Sequence, residues 1–393
     1  MSTASPTDIV NDFAHYIDPS TAVVPSDMVD QFPENPAFKF GIVGVGQCGN
    51  NIAATFHQVG YRRVLLLNTA KADLDSIDLP IEKLSLDKQG AGKDPDIGRQ
   101  CVENKITKIR TAMSRVFDGK VDKIVVCMGL GGGTGSGGGP EIVKVAKEMI
   151  KEKGGKPERD VLVIATLPEP TLDGPRQCFN ALKAYAEINR LGVPVLTVDN
   201  SQIRKVIGTT FGDNWPRMNR WVVKTLHQFN AYAAKRSDIA VFDGRDLDDV
   251  LSRGRFIFSA FRVPVLNDKY AIGNILADHL EKSLFARTKL STAEAAACVL
   301  ILNRPAVMDK SMDDVGSAFE ELNNIMKPNS TLHRGIYLED VPTAADGTPP
   351  PDLFCYVMLS GLDHPRGTLE LLYEKARSFT EAEEYGSLSA FFS

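Results

Sequence analysis

One run, GLGGGTGSGGGP from Gly129 to Pro140, constrains this chain more than any other stretch. It follows an apolar run, Ile124 to Met128, with the character of a buried strand, and it precedes Glu141 to Lys153, which reads as a helix. A very glycine-rich turn between a strand and a helix start suits phosphate. Backbone N–H groups can turn inward and approach an anion closely, and the helix end adds positive partial charge. Thr134 and Ser136 add hydroxyl donors. A flexible linker shares this composition, but it would not be clamped between two such elements.

The residues before and after this run set a pattern. Phe38 to Val45 reads as the first strand, leading into GVGQCGNN and a helix over Asn51 to Val59. Gly44, Gly46 and Gly49 spell GxGxxG, which alone is the fingerprint of a Rossmann NAD(P)-dependent oxidoreductase. That reading expects an acid at the end of the second strand to hold a ribose. Arg63 to Leu67 ends instead in Asn68-Thr69, and the second glycine loop is left unexplained. Cys48 reads as a small packing residue, because no basic group flanks it to favour a thiolate. GAGKDPDIGR, Gly90 to Arg99, is another glycine turn, before a helix over Asp96 to Phe117. The strand Val161 to Leu167 leads through PEPTLDGPRQ into a helix, Gln177 to Arg190, and then a strand, Val193 to Val198. Strands alternating with helices imply an α/β fold with a parallel sheet covered on both faces. Ligands in such sheets bind beyond the C-terminal ends of the strands, where all these loops fall.

GGGTGSG at Gly131 to Gly137 resembles the signature loop of the tubulin/FtsZ superfamily of GTPases, and GQCGN at Gly46 to Asn50 resembles the first nucleotide loop of tubulins. The resemblance covers residues 38–360 in the family's order. It implies a GTPase that binds GTP or GDP with Mg²⁺ and assembles with itself, head to tail, into filaments. It implies nucleotide contacts at Gly46, Gln47, Cys48, Asn50 and Asn68, and γ-phosphate contacts at Ala91, Gly92 and Lys93. It adds Gly131, Gly132, Gly133, Thr134, Gly135 and Ser136, with Asp173 on the ribose and Arg176 near the phosphates. The Asp173–Arg176 stretch also reads as a plain Pro-bounded turn. Ala70 stands where FtsZ-type chains usually carry Asp, so no side chain is assigned as a metal ligand; Asp73 suits a helix start.

Asn214 to Ala234 reads as a long central helix, with apolar residues at Met218, Trp221, Val222, Leu226 and Phe229. Trp215 and Asn219 share one face of it. The resemblance implies that Trp215 stacks on guanine and Asn219 reads the base edge; with Pro216 in the first turn, Trp215 fits an ordinary surface helix start equally. IAVFDGRDLDDVLS, Ile239 to Ser252, resembles the loop that completes the neighbouring copy's site, which makes Asp243 and Asp246 the catalytic pair that orients water. Val241 stands where the family usually has Asn, and acids here also suit a helix start. The run KTLHQFN resembles TubZ-type bacterial and phage tubulins, implying plasmid or phage DNA positioning through a partition adaptor. NTAKADL is similar to archaeal shape-related members, so an FtsZ-like or shape-related task is the alternative.

The expected organisation is an N-terminal extension (1–36, with a short helix near Asp8 to Tyr16), a GTP-binding domain (37–213) and a central helix with catalytic loop (214–254). A smaller α+β domain (255–365) and a C-terminal helix and tail (366–393) follow. The net charge of −5 provides no global field to draw nucleic acid, so no direct nucleic-acid binding is expected. No apolar run reaches membrane-span length, MSTASPTDIVNDF lacks a secretion signal's features, and the six cysteines are scattered. A cytoplasmic protein without membrane contact is expected. GxxxxGK[ST] does not occur, which excludes a P-loop GTPase.

Overall fold

The computed structural model describes residue 32 and residues 35–392, apart from positions 88, 208–213, 267–269, 312, 344–348, 380 and 383–384. The helix expected near Asp8 to Tyr16 lies outside the described residues. Two compact units are present. The first holds residues 38–202, 285–288 and 364–393; the second holds the described residues up to 37, with 203–284 and 289–363.

The first unit alternates strands and helices: β1 (Phe40–Val45), α1 (Gly46–Val59), β2 (Val64–Asn68), α2 (Lys71–Asp75), β3 (Glu82–Ser85), α3 (Pro95–Glu103) and α4 (Ile106–Phe117). It continues through β4 (Lys123–Gly129), α5 (Gly139–Glu152), β5 (Val161–Leu167), α6 (Pro175–Arg190) and β6 (Val195–Asp199). Its strands run β3-β2-β1-β4-β5-β6, all parallel. The near-continuous apolar runs of β1, β2, β4, β5 and β6 follow from that, since a parallel sheet with helices on both faces buries both sides of each strand. Val45 ends β1 level with Leu67 on one side and Met128 on the other. The strand order reverses between β1 and β4, the topological switch point where doubly wound sheets open a crevice for ligands.

Helix boundaries differ from expectation most at two places. α1 begins at Gly46, not Asn51, so the GQCGN stretch is its first turn. The helix expected over Asp96 to Phe117 is broken between α3 and α4. Lys105 there leaves helical geometry (φ −118°, ψ 13°), and its ammonium reaches the Ser85 carbonyl at 3.1 Å, tying the break to β3.

After α7 (Asn200–Ile207), the second unit holds α8 (Asn214–Tyr232), α9 (Gly244–Leu251), β7 (Arg255–Val263), α10 (Ala271–Glu281) and β8 (Ala295–Asn303). α11 (Asp313–Ile325), β9 (Thr331–Glu339) and β10 (Leu353–Ser360) complete it. Its strands run β7-β10-β8-β9, with β10 antiparallel to both neighbours and β8 parallel to β9. Phe229 of α8 packs edge-on against Phe242 and Tyr356 in this unit's core. The described part of the N-terminal segment runs along α8: Phe32 stacks on His227 and the Ala37 N–H donates to the Asn230 carbonyl.

The chain then returns to the first unit. Leu369, Leu372 and Ala376 of α12 (Arg366–Ala376) are buried in its core, and Phe391 stacks on Tyr385 beside Phe179. Among the described residues, no helix is long and apolar enough to cross a membrane.

Candidate functional site

The glycine run is not a turn. Thr134–Gly138 form one π-helical turn that continues directly into α5. Glycine is a poor helix former, so composition alone concealed this. Backbone packing explains the residue type. A Cβ on Gly137 would lie 1.7 Å from the Pro95 carbonyl oxygen, and one on Gly135 would lie 2.2 Å from that of Gly129. A Cβ on Gly98 would lie 2.3 Å from the Gly133 carbonyl oxygen, so α3 rests on the run backbone to backbone. Gly132 is different: it is exposed, and a Cβ there would meet nothing within 4 Å. The run therefore contains both packing glycines and a glycine that faces open space.

Both strands beside the switch point feed helix N-termini, with α1 starting at Gly46 and α5 reached through the π-turn. The first-turn N–H groups and dipole ends of α1 and of the π-turn that leads into α5 favour an anion beyond β1 and β4. Gly46 has φ +73°, and a Cβ there would sit 3.2 Å from the Gly135 nitrogen, so the two loops touch. Gln47 is exposed; Cys48 is half-buried, and burial pushes its thiol up, in keeping with packing beneath Gly129. Asn50 is buried. Its Nδ2 donates to the Leu67 carbonyl at 3.2 Å, while its Oδ1 has no partner among the described residues.

The remaining loops close around the same point. Thr134 Oγ1 lies 2.6 Å from Thr69 Oγ1 and 3.4 Å from Asn68 Oδ1. Asn68 in turn donates through Nδ2 to Asp73 at 3.0 Å, which orients its carboxamide. Ser136 is buried, with its hydroxyl held between the Leu130 and Gly132 carbonyls, so it braces the run from within. Ala91 is buried against Gly133, whereas Gly92 and Lys93 are exposed. Lys93 takes a left-handed backbone (φ +62°), uncommon for a residue with a side chain. Asn180 Nδ2 pins its carbonyl at 3.0 Å, and Asp94 immediately afterwards caps α3, accepting from the Asp96 N–H at 2.9 Å.

Asp173 and Arg176 are both engaged within the first unit. Asp173 accepts the Glu169 N–H at 2.9 Å and Gln177 Nε2 at 3.3 Å, which closes the loop before α6. Arg176 pairs with Asp94 at 3.0 Å. Sequence reasoning missed Thr69, Asp94 and Asn180. The Asp94-Pro95 pair carries a visible signal, an N-cap residue followed by proline at the first helical position. Thr69 and Asn180 carry none, because only the fold brings them to these partners.

Four further candidates lie in the second unit. Trp215 and Asn219 occupy the first turns of α8, Trp215 exposed and Asn219 half-buried. The stretch expected as a loop over Ile239 to Ser252 is largely α9, and Asp243 is its N-cap. Asp243 Oδ1 accepts the N–H groups of Arg245 (2.7 Å) and Asp246 (3.1 Å), and Asp246 Oδ2 accepts the Asp243 N–H at 3.0 Å. The two acids thus form a capping box. Asp243 Oδ2 has no partner among the described residues. The loop before it is anchored by Tyr337, whose hydroxyl accepts the Phe242 N–H at 3.1 Å and lies 2.9 Å from the Tyr232 carbonyl. Ile239 and Val241 are exposed on that loop.

Residues 39–208 match the family described as Tubulin/FtsZ family, GTPase domain. The chain is 30% identical over 197 residues to the tubulin-like protein CetZ2 of Haloferax volcanii, covering 47% of this chain and 52% of that relative. It is 23% identical over 358 residues to the tubulin-like protein CetZ of Pyrococcus abyssi, covering 88% of this chain and 92% of that one. The chain thus aligns with about half the length of the first relative and most of the second. In fold it is similar to a GTPγS-form protofilament structure of Bacillus thuringiensis serovar israelensis TubZ, with TM-score 0.74, 20% identity, and 92% and 96% of the two chains covered. The GxGxxG of Gly44, Gly46 and Gly49, at the end of β1 and the start of α1, falls inside the span that matches this family.

Proposed function

We propose that this chain, whose residues 39–208 form a tubulin/FtsZ-family GTPase domain, binds GTP over the loops at the β1/β4 switch point and hydrolyses it when copies assemble head to tail into filaments. The observation that carries this is the meeting of five loops from one unit, after β1, β2, β3, β4 and β5, around two helix N-termini. Phosphoryl transfer needs mainly positioning and charge stabilisation, which fixed N–H donors supply. Gly132, Gly92 and Lys93 are exposed, as phosphate-facing residues need to be; Gly133, Thr134, Gly135 and Ser136 hold the run's shape. Mg²⁺ takes oxygen ligands and keeps several waters, so the Asn68 carboxamide and the Thr69 and Thr134 hydroxyls are donors of the right chemistry. When bound, the ion would neutralise charge developing on the phosphates.

The water-orienting carboxylates come from another copy, at Asp243 and Asp246. Asp243 Oδ2 is the oxygen left to accept a proton from water. Heterologous contacts that do not close generate an open filament, and protofilaments of TubZ and CetZ2 are known. For the cellular task, plasmid or phage DNA partition through an adaptor is supported by the likeness in fold to TubZ, and a cell-shape or division role by the CetZ and FtsZ sequence relatives. The hydrolysis assignment is tested by Asp243→Ala. Although it loses the N-cap of α9, the variant should still bind GTP and polymerise, but its polymer should outlast the wild type's after GTP is exhausted. A polymer lifetime equal to the wild type's would remove Asp243 from the catalytic role.

A further inference from the structure

The strand β9 places His333 directly over the acidic face of α9. Its Nδ1 lies 2.8 Å from Asp246 Oδ1, and its Nε2 lies 3.0 Å from Asp249 Oδ2. Asp249 is also gripped by Arg253, at 2.7 Å through Nη2. Asp246 has its other oxygen on the Asp243 N–H. The ring is mostly buried, at 17% side-chain exposure, while the two carboxylates are partly exposed. Both ring nitrogens face carboxylate oxygens, and only the imidazolium offers an N–H at each; the neutral ring can satisfy one of them.

These contacts fix Asp246 at both ends. A capping box alone leaves the carboxylate free to turn about its remaining torsion. A second donor on the opposite oxygen removes that freedom, and with it the reorganisation needed when water is to be aligned. Tyr337, four residues on along β9, holds the Phe242 backbone just before Asp243. One strand therefore anchors both ends of the Asp243–Asp246 turn, through the hydroxyl of Tyr337 and the imidazole of His333.

We propose that His333 is a positioning residue for GTP hydrolysis, acting through the hydrogen bond from Nδ1 to Asp246 and not through its contact with Asp249. This rests on the reading of Asp243 and Asp246 as the acids that activate water. His333 touches no substrate; it sets the orientation of a group that does.

The geometry supplies its own test, because the carboxamide nitrogen of Asn reproduces Nδ1 of His and that of Gln reproduces Nε2. His333→Asn retains a donor toward Asp246, and His333→Gln retains one toward Asp249. Turnover per polymerised subunit and critical concentration are measured for the wild type and both variants. The expected result is near-wild-type turnover in His333→Asn and a loss of roughly tenfold or more in His333→Gln, with critical concentration unchanged in both. In an Asp246→Asn background, His333→Gln should cause no further loss, a comparison that also removes any general effect of the substitution on folding. Equal turnover in the Asn and Gln variants, or an additive loss in the double variant, overturns the proposal while leaving the GTPase reading intact. A wild type that polymerises without turnover overturns both.

Discussion

At the residue scale, the glycine run shows how one composition serves two purposes. Gly137→Ala sets two effects against each other. Alanine favours the helical backbone by about 1 kcal/mol. Its Cβ, however, would stand 1.7 Å from the Pro95 carbonyl oxygen, where only backbone movement can relieve it. Overpacking of that kind typically costs about 1–3 kcal/mol or more, so the steric effect wins. Gly137→Ala is expected to lower the thermal midpoint clearly. Gly132→Ala, with open space around it, should change stability by less than about 0.5 kcal/mol and instead weaken GTP binding. Equal thermal midpoints in the two variants would contradict this division. The sequence showed that the run suits an anion, since glycines between strand and helix say so locally. It could not show which glycines touch other backbones, because Pro95, Gly98 and Gly129 meet the run only in the folded sheet.

At the element scale, one half-buried and one buried set of ion pairs tie the helices and strands of the first unit together. Arg99 of α3 makes a bidentate pair with Glu187 of α6, at 2.6 and 3.0 Å, and also bonds Glu141 of α5; Lys144 joins the same cluster. Lys123 of β4, almost fully buried, pairs with Asp160 at 3.0 Å. Burial alone would raise the carboxyls of Asp160 and Glu187. Arg159, the Lys156 N–H and Lys123 more than offset it for Asp160, and Arg99 and Lys144 do so for Glu187, leaving both below the usual carboxylate range. A carboxyl lowered in the folded state contributes stability above its unfolded value, near about 4, and loses it as pH falls through the folded value. The urea midpoint should therefore drop on acidification below about pH 4. Asp160→Asn removes a carboxylate held 3.0 Å from the buried Lys123 ammonium, so it should cost about 3 kcal/mol near neutral pH and make the acid fall shallower. An acid profile parallel to the wild type's would contradict this. Strands such as β4 and β5 were legible because they are unbroken apolar runs. The break between α3 and α4 was not, because it depends on Lys105 reaching the Ser85 carbonyl across the sheet edge. The capping-box geometry of Asp243 and Asp246 was only half legible: an acid-rich helix start was visible, but His333 lies far along the chain on β9.

At the scale of the whole molecule, the proposed reaction divides two tasks between the two units. The first unit offers N–H donors and open glycines at the switch point; the second offers Asp243 and Asp246 on α9. In the proposed reaction each copy carries both parts but completes its neighbour's site, so turnover would be a property of the polymer. The exposed Ile239 and Val241 beside Asp243 suit a surface that is covered on assembly. The order of glycine loops along the chain made this architecture readable, since each loop follows a strand of one parallel sheet. The dependence of hydrolysis on assembly is tested by GTP turnover and light scattering recorded on the same samples over a range of protein concentrations. A shared threshold is expected, with neither signal below it and turnover rising in proportion to polymer above it. Turnover that grows linearly from the lowest concentration, without scattering, would show a site complete in one copy and would contradict it.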